Sequence, residues 1–231
     1  MPKDVIIACD FNSEKAVLDF LDRFPNEKPF VKIGMELYYA CGPAIVEKIK
    51  NRGHKVFLDL KLHDIPNTVK KALSVLADLQ VDMTNVHASG TIAMMEAAAE
   101  GYYAKNPNGI LIAVTQLTST TEEHMQNDLL IDRSMEEVVA QYALNTKKAG
   151  LKGVVCSPLE SPKVHVLCGN DFLTVTPGIR FADDAKGDQA RVTTPAKAKE
   201  LGSDYIVVGR SITAAADPYQ AYLKCVNEFL K

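Results

Sequence analysis

Eight short apolar runs, each followed by a longer amphipathic stretch, set the tightest limit on what this chain can fold into. The runs are Val5–Cys9, Phe30–Gly34, Lys55–Leu60, Met83–His87, Ile110–Gln116, Gly153–Ser157, Phe172–Thr176 and Tyr205–Gly209. Successive side chains of a strand point to opposite faces, so a run that is apolar at both parities has no face for water. Such strands belong in a parallel sheet covered on both sides. The segments between them supply the cover. Apolar residues recur at helical spacing over Ser13–Phe24, Gly42–Arg52, Asn67–Leu79, Thr91–Ala104, Met135–Ala149, Ser161–Cys168, Thr194–Leu201 and Pro218–Leu230, the pattern of helices packed on a sheet. Asn12 and Ser13 are placed to cap the first helix, Gly53 and Gly150 to close two others, and Pro195 suits a first helical turn. Eight βα units favour closure into a (β/α)8 TIM barrel, expected as a single domain over residues 1–231. A doubly wound open sheet shares the alternation but loses support, because no GxGxxG follows the first run.

Charge and cysteine content narrow the classes of partner. The net charge is -3 and the basic clusters, such as Lys70–Lys71 and Lys147–Lys148, are doublets of the kind that solvate helix faces. Neither a nucleic acid nor an anionic membrane is an expected partner. Five cysteines, an odd number without a CxxC pair, argue against a disulfide framework or a zinc site and for a reducing compartment. No apolar run approaches 18 residues and no basic segment leads into one, so neither a signal peptide nor a membrane span is expected, and the chain reads as cytoplasmic.

In a barrel the chemistry sits where strands end and βα loops begin. The first strand delivers Asp10 there, a residue type that more commonly caps a helix or shapes a turn. The second carries Lys32 inside an otherwise apolar Phe-Val-Lys-Ile-Gly. An unpaired ammonium in a buried strand is costly, so Lys32 requires a carboxylate partner. The third strand ends Asp59-Leu60-Lys61-Leu62-His63-Asp64. By the period of two, Asp59 and Lys61 share a face, which places Asp59 between Lys61 and Lys32. A structural ion-pair network is the bland alternative for these charges.

The last two strands point to an anion. Pro177-Gly178-Ile179-Arg180 follows strand seven, and Gly209-Arg210-Ser211 follows strand eight and leads into a helical segment. Barrels often bind phosphate with these two loops, using backbone N–H groups and an arginine. The long polar loop from Gly178 to Thr193, with Gln189, has the length of a lid. His87 reads as a packed histidine at the barrel mouth, and the Met94–Met95 pair as helix packing.

The stretch Phe57-Leu-Asp-Leu-Lys-Leu-His-Asp-Ile-Pro-Asn-Thr-Val69 resembles the signature of the orotidine 5'-monophosphate decarboxylases, and the likeness extends over essentially the whole chain. It takes in Asp10, Lys32, Asn85-Val86-His87-Ala88, Leu117-Thr118-Ser119, Thr176-Pro-Gly-Ile-Arg180, Asp188-Gln189 and Val208-Gly-Arg210. The resemblance implies conversion of orotidine 5'-monophosphate to uridine 5'-monophosphate, without metal or organic cofactor. It implies Lys61 as proton donor to C6 and Asp59 as the carboxylate facing the substrate carboxylate. Lys32 would link Asp59 to the ribose hydroxyls, and Asp10 would bind the ribose. Thr118 would contact the pyrimidine edge. Pro177, Gln189, Gly209 and Arg210 would line the substrate, the last three at the phosphate, with Arg180 close by. It further implies a homodimer in which Asp64 and Thr68 reach the neighbouring active site. Two alternatives stay open: a 3-keto-L-gulonate 6-phosphate decarboxylase-like enzyme, whose second strand carries a magnesium-binding glutamate where Lys32 stands here, and a non-catalytic nucleotide-binding barrel.

Overall fold

The structure, a computed structural model, describes residues 3–182, 184 and 192–231. Its eight strands are β1 (Asp4–Ala8), β2 (Phe30–Gly34), β3 (Val56–Leu62), β4 (Met83–His87), β5 (Ile110–Val114), β6 (Gly153–Val155), β7 (Leu173–Thr176) and β8 (Tyr205–Val208). Each pairs in parallel with the next, and β8 returns to β1, closing the barrel. The expected (β/α)8 TIM barrel is therefore the observed fold.

Helices cover the outside: α1 (Glu14–Leu21), α2 (Met35–Cys41), α3 (Ala44–Asn51), α4 (Pro66–Leu76), α5 (Thr91–Tyr103), α6 (Glu122–Asn127), α7 (Met135–Lys148), α8 (Ser161–Cys168), α9 (Pro195–Glu200), α10 (Arg210–Thr213) and α11 (Pro218–Leu230). Local chemistry sets their ends. Ser13 caps α1, Thr194 caps α9 with Pro195 in its first turn, and Ser134 forms a capping box with Glu137 on α7. Gly53 and Gly150 close α3 and α7 from left-handed conformations at φ 91° and 81°. The sequence pattern places one helix over Gly42–Arg52, where α3 lies, and does not expose α2, which ends at Gly42 with φ 69°, or the short α6 and α10.

Strand parity divides the apolar residues between two cores. Ile6, Ala8, Phe30, Phe57, Met83, Ile112, Leu173, Val175, Tyr205 and Val207 pack inside the barrel. Their neighbours Val5, Ile7, Val31, Ile33, Val56 and Leu58 face outward and pack in a larger cluster with residues such as Leu37, Ile45 and Phe229 from the helices. Burial on both faces is why each strand reads as a continuous apolar run. Among the described residues no helix is long and apolar enough to cross a membrane. All five cysteines are thiols.

Candidate active site

Counting two residues on from the inner apolar layer gives the layer above it, polar over the first four strands. Ala8 leads to Asp10, Phe30 to Lys32, Phe57 to Asp59, Met83 to Asn85, Val175 to Pro177 and Val207 to Gly209. The pleat thus places a charged rim over a greasy floor, at the C-terminal mouth of the barrel.

The rim charges alternate. Lys32 Nζ lies 3.0 Å from Asp10 Oδ1 and 3.3 Å from Asp59 Oδ2, while Lys61 Nζ lies 2.7 Å from Asp59 Oδ1. The lysine in the middle of β2 therefore has two carboxylate partners. Burial works against the Lys32 ammonium, but the charges of Asp59 and Asp10 more than reverse it and hold its pKa above the ordinary lysine value. Burial likewise opposes ionisation of Asp59, and here Lys32, Lys61 and a hydrogen bond from Asn85 win, keeping the carboxyl below its usual range.

Asp59 and Lys61 meet by a different route from the regular pleat expected of the strand. Leu58 pairs with Thr84 and Leu62 with Val86, so Asp59, Leu60 and Lys61 together face the single residue Asn85. The bulge puts Lys61 in the left-handed region at φ 52°, which costs a side chain-bearing residue about 1–2 kcal/mol. Asn85 spans the bulge: its Oδ1 accepts the Lys61 backbone N–H at 2.8 Å, and its Nδ2 donates to Asp59 Oδ1 at 2.6 Å. The Thr84 hydroxyl donates to the Leu58 carbonyl beside it at 2.9 Å. β3 consequently runs two residues beyond its expected end, carrying Lys61 within the strand.

Beside these charges lies a cavity of about 200 Å³, lined by Lys32, Phe57, Asp59, Lys61, Thr118 and Pro177, among others. A second, of about 440 Å³, shares Lys32 and Pro177 and is walled by Asp10, Arg180, Gly209, Arg210 and Thr213. The shared walls make one cleft with a Lys–Asp–Lys end and an arginine-lined end. Arg180 is held below the ordinary arginine value by burial and by the like charge of Arg210, and both facts favour an anion between the two side chains. The loop bearing Arg180 is anchored at its base, where the Arg180 and Thr193 amides donate to the Thr193 and Gly178 carbonyls, each at 3.0 Å. Gly178 there sits at φ 79°, a conformation that favours glycine. The helix after β8 has only four residues, so the arginine side chains, more than a helix dipole, supply the positive charge.

Asp64 and Thr68 line neither cavity. Both are exposed, within the wholly exposed stretch His63–Thr68, where Ile65 keeps 66% of its surface bare. The Asp64 carboxylate accepts the Ile65 amide at 2.6 Å, and the Lys61 ammonium pairs with Asp59. Gln189 lies outside the described residues. Asn85 and Thr213 were not singled out as site residues in the sequence. Parity from Met83 points Asn85 inward, but an amide among apolar residues carries no charge to draw notice. His87 lies beside His63, ring centroids 5.8 Å apart, and burial together with His63 and Lys61 holds it below the ordinary histidine range.

These shifts have a sign in stability. The folded-state pKa values of His54 and His87 are depressed, chiefly by burial, so the unfolded chain binds their protons more readily below about pH 6.5. Asp59 is also depressed, and its contribution, full above about pH 4, is lost as pH falls through its lowered value. Lys32 is raised, and its contribution, full below about pH 10.5, is lost as pH climbs through its raised value. Urea midpoints are therefore expected to form a plateau from about pH 7 to 10, easing below 6.5 and falling steeply below 4. A midpoint that rises on acidification through pH 6 runs against these assignments.

A barrel whose mouth joins a buried Lys–Asp–Lys set to a pair of arginines defines an enzyme for small anionic substrates. Residues 3–225 match the Orotidine 5'-phosphate decarboxylase / HUMPS family, and the chain belongs to that family. The chain is 57% identical to the orotidine 5'-phosphate decarboxylase of Geobacillus sp. (strain WCH70) over 228 residues, 97% of this chain and 95% of that protein. The same identity holds over 226 residues with the Bacillus cytotoxicus enzyme of that name, 96% and 95% of the two chains. The crystal structure of orotidine 5'-phosphate decarboxylase from Lactobacillus acidophilus superposes with a TM-score of 0.89 at 42% identity, covering 99% of this chain and 100% of that one.

Proposed function

We propose that this chain, as one catalytic domain, decarboxylates orotidine 5'-monophosphate to uridine 5'-monophosphate in pyrimidine biosynthesis, using only its own side chains. The carrying observation is the Asp10–Lys32–Asp59–Lys61 array at the mouth of the barrel, continuous with the arginine-lined end of the cleft. The phosphate sits between Arg180 and Arg210, beside the Gly209 backbone. The ribose rests on Asp10 and Lys32, and the pyrimidine lies against Thr118 and Pro177. This places the C6 carboxylate beside Asp59, with the Lys61 ammonium next to C6.

When the bond from C6 to the carboxylate breaks, the electron pair stays on C6 and carbon dioxide leaves. Lys61 transfers its proton to C6 and regains one from solvent. The ring delocalises the C6 pair poorly, so the fixed ammonium supplies the stabilisation, in a site whose dipoles are already oriented. Repulsion between Asp59 and the substrate carboxylate ends as that carboxylate becomes carbon dioxide, an effect felt more in the ground state than in the transition state. The remote phosphate anchors the substrate for this step.

Lys32 discriminates against the magnesium-dependent alternative. Its ammonium stands between Asp10 and Asp59, where a divalent ion would need carboxylates to converge. Among the described residues no three His, Cys, Asp or Glu side chains gather into a metal-holding group. Side-by-side assays on the two substrates test the choice: turnover of orotidine 5'-monophosphate and none of 3-keto-L-gulonate 6-phosphate with magnesium is expected, and the reverse refutes it. Arg210→Ala is expected to raise KM on the order of 10–100-fold through the lost charged hydrogen bonds, with kcat less affected.

The same reading takes the chain as a cytoplasmic homodimer, its thiols suited to a reducing compartment, with the exposed Asp64 and Thr68 reaching across to the partner's site. Mixing tests this. Lys61→Ala and Asp64→Ala subunits, each nearly inactive alone, are expected to recover about a quarter of wild-type activity after random reassortment, because half the dimers carry one intact site. No recovery in confirmed mixed dimers places Asp64 in its own subunit's site.

A further inference from the structure

We infer that Asn85 is a positioning residue for the proton donor, its carboxamide locking the Lys61 backbone and the Asp59 carboxylate into one geometry. The inference rests on the decarboxylase reading and extends it to a residue that touches no substrate atom. Two contacts fix the orientation of the amide. A backbone N–H can only donate and an ionised carboxylate can only accept, so Oδ1 faces Lys61 N at 2.8 Å and Nδ2 faces Asp59 Oδ1 at 2.6 Å. The residue is fully buried on β4, directly across the bulge, where three residues of β3 face it alone.

That placement answers a mechanical problem. Lys61 sits at φ 52°, a conformation it would leave if nothing held it, and its Nζ and the Asn85 amide share one oxygen of Asp59. Release of the Lys61 N–H frees the bulge to relax toward a regular strand. Release of Asp59 Oδ1 frees the carboxylate to turn about its own bond. Either motion carries the Lys61 ammonium away from its partner oxygen, and a misplacement of about 1 Å can cost on the order of 100-fold in rate. Asparagine is specific to the task. Aspartate keeps the acceptor for Lys61 N–H but sets a second carboxylate against Asp59, and leucine offers neither group.

The test compares wild type, Asn85→Ala and Asn85→Asp in two measurements: kcat with orotidine 5'-monophosphate, and the dissociation constant of uridine 5'-monophosphate. A positioning role predicts a kcat loss of about 100-fold in each variant. Nucleotide affinity, set by groups elsewhere in the cleft, is expected to stay within about twofold in Asn85→Ala. A folded wild type that leaves orotidine 5'-monophosphate untouched removes the decarboxylase reading and this inference with it. Wild-type turnover with an Asn85→Ala kcat within about threefold of it removes the inference alone. If kcat and affinity fall by the same factor, or both variants fail to fold, Asn85 is a general packing residue and the inference is overturned.

Discussion

Lys61→Ala is expected to lower kcat for orotidine 5'-monophosphate by at least about 10⁴-fold, because two effects depend on one ammonium. Loss of a positioned acid costs about 10²–10⁴-fold. Loss of a fixed charge aimed at the developing carbanion costs about 10²–10³-fold more. The ammonium is placed for both, 2.7 Å from Asp59 and against the cavity. Affinity for uridine 5'-monophosphate rests on the arginine end of the cleft and is expected to survive, so rapid-quench turnover and equilibrium binding should part company. Comparable losses in both would make Lys61 a substrate-binding group instead of the proton donor.

Asp59→Ala is expected to damage both activity and fold. The Asp59 side chain is 9% exposed and stands between the Lys32 and Lys61 ammoniums. Removing it leaves Lys32 with the exposed Asp10 at 3.0 Å and takes from Lys61 the carboxylate at 2.7 Å. Breaking a buried pair from one side costs about 3–5 kcal/mol. For a domain of this size the lower figure lowers Tm by roughly 6–12 °C. Turnover is expected to fall about 10³-fold, since Lys61 loses the oxygen that holds it. Calorimetry and steady-state kinetics read the two losses separately. An Asp59→Ala protein as stable as wild type would mean that the cations relax into solvent and that the array is not a buried network.

The barrel was legible because parallel strands covered on both faces leave a simple trace: apolar runs such as Val5–Cys9 and Tyr205–Gly209, with helical periodicity between. The charged rim was legible for the opposite reason. Lys32 and Asp59 break such runs, and burying a charge demands a partner. The bulge at Lys61 left no such trace. A residue at φ 52° that is not glycine has no sequence marker, and the pleat rule placed its side chain on the right face while misjudging how it gets there. Asn85 stands within the family resemblance but carries no assigned role there, because its role arises only once that bulge exists. The ends of α2 and α10 depend on Gly42 and Gly209, single residues whose effect on a neighbouring helix is set by the packing around them. Asp64 and Thr68 mark a limit of another kind: the proposed function has them serve a neighbouring subunit, and in one chain such residues look like ordinary surface.

The most direct test of an unaided electrostatic decarboxylation is the loss of orotidine 5'-monophosphate absorbance by wild-type protein after exhaustive chelation, with uridine 5'-monophosphate quantified in the same samples. Full turnover, one product nucleotide for each substrate consumed and unchanged by the chelator, is the predicted result. Activity that disappears with the chelator and returns with a divalent ion would contradict the account at its centre.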